Sequence, residues 1–445
     1  MEYTKKEFEN QSIRKTEKLA YGLSNFGGNL VYATVSSFAT LFYTDSVGIS
    51  AATVGTMMLI ARIFDGISDV AMGNIIDKTH WKNGQAKPWY IWSLLSLVLS
   101  LVLVFAAQPT WGNTMKIVYM YVTYIWSAVF CYTANSLAAV SMQSLMTGNK
   151  KERMKLNASY QMCGFICIIA VNIVTSNLAS KMGWLKLSVV YAVIVTICLL
   201  FMVVLCQERK QLVISEEKEA EKVKISLKEG LPLLLKNRYA IIILVLSILN
   251  YITVGTFNAG GVYYATYIYG NAGLFGLMTM AGMLPTIILS AAVPAFGAKF
   301  GKRNVLIAGY VLQMIGYGII QIGGTILPVM IIGLVIKGAA LAAVAGLLIP
   351  MLGDVIEYGE RTTGKRLDGL TNAVATCGVK IGTGLGAALV GWLLEWGGYI
   401  AGANVQQSEA ILSMKLLVGG IPAICGLSGI FVAILFDIEN KENQK

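Results

Sequence analysis

Histidine occurs once in this chain, at position 80, and Asp, Glu, Lys and Arg together supply only 13% of its 445 residues. With that one histidine in a polar loop, histidine-dependent triads and multi-histidine metal sites are excluded. The seven cysteines (Cys131, Cys163, Cys167, Cys198, Cys206, Cys377, Cys425) fall in or at the ends of apolar runs, and no two form a CxxC pair. Cys163 and Cys167 share a helix face, but no other soft ligand accompanies them, so they read as small packing residues. A membrane-bound enzyme needs a nucleophile–base pair or a metal cluster, and neither is apparent. No small-residue cleavage site follows the first apolar run, which therefore reads as an anchor rather than a removed signal.

Apolar side chains are what the chain has in quantity: 56% of residues are hydrophobic and the mean hydropathy is +0.65. A water-facing surface cannot be built from that composition. Apolar runs of about 20 residues recur, each long enough to cross a hydrocarbon core of roughly 30 Å. Their approximate positions are 19–43, 52–77, 89–108, 115–140, 158–180, 185–206, 239–266, 273–298, 304–322, 326–351, 370–394 and 412–436. The expected fold class is therefore an all-α polytopic membrane protein of twelve transmembrane helices.

The formal net charge of +11 raises the question of a nucleic-acid partner, but the distribution of Lys and Arg answers it differently. With the N-terminus inside, 28 of the 35 basic residues fall in cytoplasmic segments and four (Lys116, Lys181, Lys186, Lys415) in external loops. That asymmetry orients the spans, places both termini in the cytoplasm and removes the need for nucleic acid. A hydrophilic stretch at 207–236, with the charged run Glu216-Glu-Lys-Glu-Ala-Glu-Lys222, separates six spans from six. The expected organisation is a six-helix bundle over 1–206, a cytoplasmic loop over 207–236 and a second bundle over 237–445. A weak repeat agrees: Gly73-Asn-Ile-Ile-Asp77-Lys78 follows the second span, and Phe296-Gly-Ala-Lys-Phe-Gly-Lys-Arg303 follows the eighth. Two six-helix halves are the layout of the major facilitator superfamily, whose substrate site lies at the midplane between halves.

Three basic residues, Arg62, Lys337 and Lys380, lie within spans. A charge at the bilayer centre costs about 2.5–3.5 kcal/mol on insertion scales, so such residues pair, face water or do work. Arg62, Asp65 and Asp69 follow one another at spacings of three and four and share one helical face, with Asp65 at mid-span. Arg62 alone could neutralise Asp65, which leaves Asp69; two carboxylates one turn apart can instead supply hard oxygens to Na⁺ or Li⁺, or hold a proton. Lys380 lies beside Gly378, Gly382 and Gly386, whose spacing admits a second helix closely. It is a candidate counter-charge or donor to substrate hydroxyls. Lys337 could snorkel, pair with an acid or attract an anionic substrate.

Four stretches resemble the glycoside–pentoside–hexuronide:cation symporter family and are distributed over nearly the whole chain. They are Tyr21-Gly-Leu-Ser-Asn-Phe-Gly-Gly-Asn29 with Phe42-Tyr-Thr-Asp45; Arg62-Ile-Phe-Asp65-Gly-Ile-Ser-Asp69-Val-Ala-Met-Gly73 with Gly84-Gln-Ala-Lys-Pro88-Trp; Tyr263-Tyr-Ala-Thr-Tyr-Ile-Tyr-Gly270; and Gly353-Asp354-Val-Ile-Glu357-Tyr-Gly-Glu360 with Thr363-Gly-Lys-Arg366, Gly369 and Lys380. By that resemblance Asp65 and Asp69 belong to a cation site, with Thr133 and Asn135 contributing from helix four and Lys380 close by. The resemblance to sugar-binding positions departs from the melibiose carriers. Asn29 and Asn135 (or Ser136) stand where those have carboxylates, and Tyr160 or Gln161 stands where they have an arginine. Amides lose the charge-assisted strength of carboxylates, which puts melibiose itself in doubt. Losing two acids and gaining Lys337 tilts the cavity positive, toward an anionic glycoside such as a hexuronide.

The expectation is cation-coupled symport of a sugar or glycoside into the cell by alternating access, through the inner membrane and by a monomer. Asn29, Arg62, Asn135, Lys337 and Lys380 are the candidate sugar-binding residues. Asp77, Arg303, Asp354 and Arg366 are the candidate cytoplasmic gate. No cofactor is expected beyond the coupling cation, Na⁺, Li⁺ or H⁺. The competing readings are a facilitator or exchanger without tight coupling, a sensor on a transporter fold, and multidrug efflux.

Overall fold

A computed structural model describes residues 2–3, 12–79, 81, 84–211, 232–234, 236–403 and 405–438. The charged run at 216–222, most of the central stretch and His80 lie outside the described residues. The main helical elements, in order, are α1 (Lys15–Leu41), α2 (Ala51–Lys78), α3 (Lys87–Val104), α4 (Asn113–Met146), α5 (Lys150–Met182) and α6 (Trp184–Leu205). There follow α7 (Arg238–Tyr267), α8 (Leu274–Ser290 and Val293–Phe300), α9 (Lys302–Gly323), α10 (Leu327–Thr363), α11 (Asp368–Trp396) and α12 (Ser408–Ile434). Two short strands, β1 (Glu2–Tyr3) and β2 (Lys210–Gln211), pair in parallel.

Each apolar run is taken up by one helix, but the helices outrun the apolar residues. α5 begins at Lys150 rather than near 158, and α10 continues to Thr363 rather than 351. Hydropathy marks where lipid begins, whereas caps mark where a helix begins. The Asn149 side chain accepts from the backbone N–H of Lys151 at 3.0 Å and Glu152 at 3.3 Å, which starts α5. α10 stops at Gly364, whose φ of +68° suits a residue without Cβ. Its N–H donates to the Glu360 carbonyl at 2.8 Å. α8 bends by 57° between its two segments. Pro294 has no amide proton to offer the Ser290 carbonyl one turn back, so the ladder breaks there.

Among the described residues, ten helices are long and apolar enough to cross a membrane, or eleven if bent α8 counts as one span. α1 is long enough but falls short in apolarity, because Gly, Ser, Asn and Thr fill it. Seventeen of its 27 residues are buried, so protein rather than lipid surrounds most of it. α6 shows the opposite character. Val193, Ile197, Leu200, Phe201 and Val204 are all exposed along one side, a stripe that only lipid can cover. The chain is thus a multi-pass helical membrane protein.

The helices group into two compact units. The first comprises Met1–Ile49 and Phe64–Lys222, and the second comprises Ser50–Ile63 and Val223–Lys445. α2 is therefore shared, its first part packing with the second unit.

In the first unit α1 lies against α5 and α6. A Cβ on Gly22 would meet Ser159 Oγ at 2.7 Å and Cys163 Sγ at 2.8 Å, and one on Gly27 would meet Cys198 at 3.1 Å. In the second unit the glycine row of α11 faces α7. A Cβ on Gly378 would meet Ser247 at 2.6 Å, and one on Gly382 would meet the Ile248 carbonyl at 2.6 Å. The start of α2 also lies on α11. A Cβ on Gly55 would meet the Ala388 carbonyl at 2.7 Å, Trp392 Nε1 donates to Thr56 Oγ1 at 3.1 Å, and the Ala52 N–H donates to Glu395 Oε2 at 3.3 Å.

Candidate functional site

Asp65 is 6% exposed, in the part of α2 that belongs to the first unit. Burying a carboxylate demands compensation, and α4 supplies some of it: Thr133 Oγ1 donates to Asp65 Oδ1 at 2.8 Å. One turn on, Ser68 Oγ donates to the Asp65 carbonyl at 3.1 Å and to the Val129 carbonyl at 2.9 Å, and lies 3.4 Å from Thr133 Oγ1. Val129 sits in a π-helical turn, Trp126–Cys131, which redirects α4 just before Thr133. Asp69 follows one turn along the same face and is half-buried. The result is a cluster of hard oxygens from α2 and α4, the ligand type that Na⁺ or Li⁺ takes. A carboxylate in that setting can equally hold a proton.

The remaining candidates are placed less uniformly. Asn135 is buried, but its Nδ2 donates to Ser93 Oγ of α3 at 3.1 Å, so its amide is turned toward α3. Ser136 is half-buried and donates to the Thr133 carbonyl at 3.3 Å. Asn29 Nδ2 donates to Asn25 Oδ1 at 2.7 Å, while Asn25 Nδ2 donates to the Tyr160 carbonyl at 2.7 Å. Tyr160 stacks on Tyr21 with centroids 4.9 Å apart. Asn25, absent from the sequence-derived site, is the residue that ties Asn29 to α5. The signal was available, since Asn25 and Asn29 share a helix face at a spacing of four. Gly164 allows this approach, because a Cβ there would meet Asn25 Nδ2 at 2.5 Å.

In the second unit the Arg62 stem lies on α11, where a Cβ on Gly384 would meet Arg62 Cβ at 2.8 Å. Lys380 is half-buried on α11, and its carbonyl accepts from Thr383 Oγ1 at 3.1 Å. Lys337 is 8% exposed, with Nζ 4.0 Å from the centroid of the Phe257 ring and 5.9 Å from that of Tyr317. It therefore does not snorkel. A desolvated cation–π contact returns about 2 kcal/mol, against an insertion cost of about 2.5–3.5 kcal/mol or more for the charge.

The cytoplasmic ends are held by ion pairs that differ from the sequence-derived set in their partners. Asp354 accepts from Lys302 Nζ at 2.6 and 2.7 Å, joining α10 to α9. Arg303, its neighbour, instead donates to the Ile434 carbonyl at 2.6 Å. Arg366 pairs with Glu360 at 2.8 Å and Asp368 at 2.9 Å, joining α10 to α11. Asp77 is exposed at the end of α2.

In the first unit Glu208 serves the loop before α3. Its carboxylate accepts from the backbone N–H groups of Gln85 (2.6 Å), Ala86 (2.7 Å) and Lys87 (2.5 Å). Gly84, at φ +125°, has no room for a Cβ beside it. Arg209 next door pairs with Glu17 at 2.7 Å. Burial, helped by the nearby Glu17 charge, pushes the Cys206 thiol up to about 12. Lys302, Glu208 and Arg209 were not singled out in the sequence, because nothing local marks which distant group they meet.

Buried charge inside a helical membrane protein marks a transport pathway more often than a scaffold, and comparison with known proteins settles the class. Residues 20–440 match the family described as MFS/sugar transport protein. The chain belongs to that family. It is a transporter, not an enzyme, as the family resemblance of its motifs implied. It is 30% identical to the isoprimeverose transporter of Lactiplantibacillus pentosus, over 95% of this chain and 88% of that one. It is 26% identical to the putative glycoside/cation symporter YagG of Escherichia coli K12, over 94% and 90% of the two chains. The nucleoside transporter NupG superposes with a TM-score of 0.66 at 14% identity, covering 94% of this chain and 99% of that one. That likeness shows the shared transporter fold.

Proposed function

We propose that this family member imports a sugar or glycoside by cation-coupled symport, with Asp65 at the centre of the cation site. The observation that carries the reading is the buried Asp65 carboxylate with Thr133 Oγ1 at 2.8 Å and Ser68 alongside. Hard oxygens from two helices in a membrane interior suit a desolvated Na⁺ or Li⁺, or a proton on the carboxylate. The names of relatives, one an isoprimeverose transporter and one a putative glycoside/cation symporter, support the substrate class and the coupling. Asp69 and Asn135 complete the proposed cation set. Asn29, Arg62, Asn135, Lys337 and Lys380 form the proposed sugar-binding set, with a hexuronide-type glycoside among the candidate cargoes. Asp77, Arg303, Asp354 and Arg366 form the proposed gate, with Lys302 added as the partner of Asp354.

The working unit in this reading is a monomer in the inner membrane with both termini in the cytoplasm. It is organised as a bundle over 1–206, a loop over 207–236 and a bundle over 237–445. Cation binding at Asp65 and Asp69 lowers the cost of burying that acidic face. Sugar and cation then cross together as the carrier alternates access.

The test is uptake into proteoliposomes of a labelled glycoside panel, with Na⁺ replaced by choline across a pH series, in wild type and in Asp65→Cys and Asp69→Cys. Accumulation that follows the cation gradient in wild type and is lost in both variants is expected. Coupled accumulation unchanged in both would refute the ion-site assignment. Flux independent of every cation would leave a facilitator.

A further inference from the structure

Lys337 has no acidic partner within reach. The elements packed against it are α7 through Phe257, α9 through Tyr317 and α8 through Gly282, where a Cβ would meet Lys337 Nζ at 3.5 Å. None of those three helices contains an Asp or Glu. On its own helix the first carboxylate is Asp354, roughly 25 Å further along at 1.5 Å per residue, and Asp354 is taken by Lys302. The lysine is also held where it is. Its backbone is clasped on two sides: a Cβ on Gly316 of α9 would meet Lys337 N at 2.8 Å, and Thr286 of α8 donates to the Gly338 carbonyl at 2.8 Å.

A second observation lies beside it. The amides of Asn250 and Gln313 and the hydroxyl of Tyr317 are all buried without a hydrogen-bond partner among the described residues. The packing of α7 on α9 aligns them. Tyr310 donates to the Leu246 carbonyl at 2.9 Å, so Asn250, one turn past Leu246, faces the level of Gln313. Tyr317, one turn past Gln313, reaches Thr253 without a bond of normal geometry. Phe257, one turn past Thr253, carries the lysine on its ring. These groups make a continuous polar column inside the second unit. Buried polar groups are satisfied in nearly all native structures, and an unpaired buried cation is costlier still to maintain.

We propose that this column is an anion subsite, in which Lys337 takes the carboxylate or sulfonate of an acidic glycoside. Gln313, Asn250 and Tyr317 take the neighbouring sugar hydroxyls. The inference rests on the sugar-transport reading above and narrows it to acidic cargo. A ring-bound ammonium offers three donors to an entering carboxylate. The planar amides present donor and acceptor together, matching the mixed hydroxyls of a pyranose.

The test uses the full chain in proteoliposomes and two matched pairs: 4-nitrophenyl β-D-glucuronide against the glucoside, and the galacturonide against the galactoside. Members of a pair differ only in bearing a carboxylate or a hydroxymethyl at C6. Wild type should take up the acid over its neutral partner by about ten-fold or more, the value of one charge-assisted hydrogen bond. Lys337→Met should bring that ratio to near unity, and Lys337→Arg should recover part of it. A wild type that prefers the neutral member of both pairs overturns the proposal, as does a ratio unaltered in Lys337→Met. Sodium sulfate that competes equally with acid and neutral sugars points to an inorganic-anion site and also overturns it. Should Lys337→Met fail to insert, thermal stabilisation of wild type decides: the acid must raise the melting temperature more than its neutral partner at equal concentration. Transport of the neutral sugars alone sinks this inference and leaves the symport reading standing. The absence of any sugar flux or binding sinks both.

Discussion

Thr133→Val removes one hydroxyl from the interior of the first unit while keeping the side-chain volume, so its effect isolates the contact with Asp65. The wild-type hydroxyl does two things at once. Its hydrogen is committed to Asp65 Oδ1 at 2.8 Å, which aims the oxygen lone pairs away from the carboxylate and toward an entering cation. Ser68 cannot replace it, since its hydroxyl is engaged by the Val129 carbonyl at 2.9 Å and stands 3.4 Å from Thr133. A hydrogen bond to a charged group contributes about 1.5–3 kcal/mol, which corresponds to about 10- to 150-fold in an equilibrium constant. The cation concentration giving half-maximal uptake should therefore rise by about 10-fold or more in Thr133→Val, with Thr133→Ser close to wild type. The assay is initial-rate sugar uptake against Na⁺, Li⁺ and proton concentration in proteoliposomes. An unchanged half-saturating cation concentration in Thr133→Val, in protein of wild-type thermal stability, would refute the reasoning: Asp65 and Thr133 would then be a structural pair.

Three further outcomes are expected. Glu208→Ala strips three backbone N–H groups of their common acceptor and should cost about 2–4 kcal/mol of stability, read as a lower melting temperature in detergent; an unchanged melting temperature contradicts the role given to the loop before α3. Gly382→Leu forces a side chain into the Ile248 carbonyl and should cost about 1–3 kcal/mol or more through overpacking, seen as reduced folded yield, whereas full yield would mean the α7–α11 seam is looser than the contacts say. Cys206, with its thiol pushed up to about 12, should stay unlabelled by maleimide at pH 8 until the protein is denatured, and rapid labelling of the folded carrier would show the site to be open.

Helix count and orientation were legible because lipid imposes a simple rule on composition, and Asp65 stood out because the rule was broken there. Helix ends were less legible: the polar residues from Gly353 to Thr363 continue α10 beyond the apolar run. The pairing of Asp354 was uncertain for a different reason. Lys302 and Arg303 are adjacent and equally charged, and only the direction in which α9 starts decides which one reaches α10. Asn250 and Gln313 drew no notice, since an amide in an apolar run does not announce whether its partner is backbone, side chain or cargo. Glu208 and the loop at Gln85–Lys87 are more than a hundred residues apart, and only folding brings them together.

The π-helical turn at Trp126–Cys131 has a consequence for kinship as well as for shape. Such a turn is a helix that has absorbed one extra residue without growing a loop, so every position after it is displaced by one against a relative whose fourth helix lacks the turn. Asn135 and Ser136 stand just downstream, and they are the two residues competing for the place of a single carboxylate. Their ambiguity is the expected trace of a one-residue insertion stored inside a helix. Where relatives are lined up through α4, α1 near Phe42–Ser46 or α12 near Leu416–Gly420, equivalence is better judged by which neighbour a side chain meets than by its place in the row.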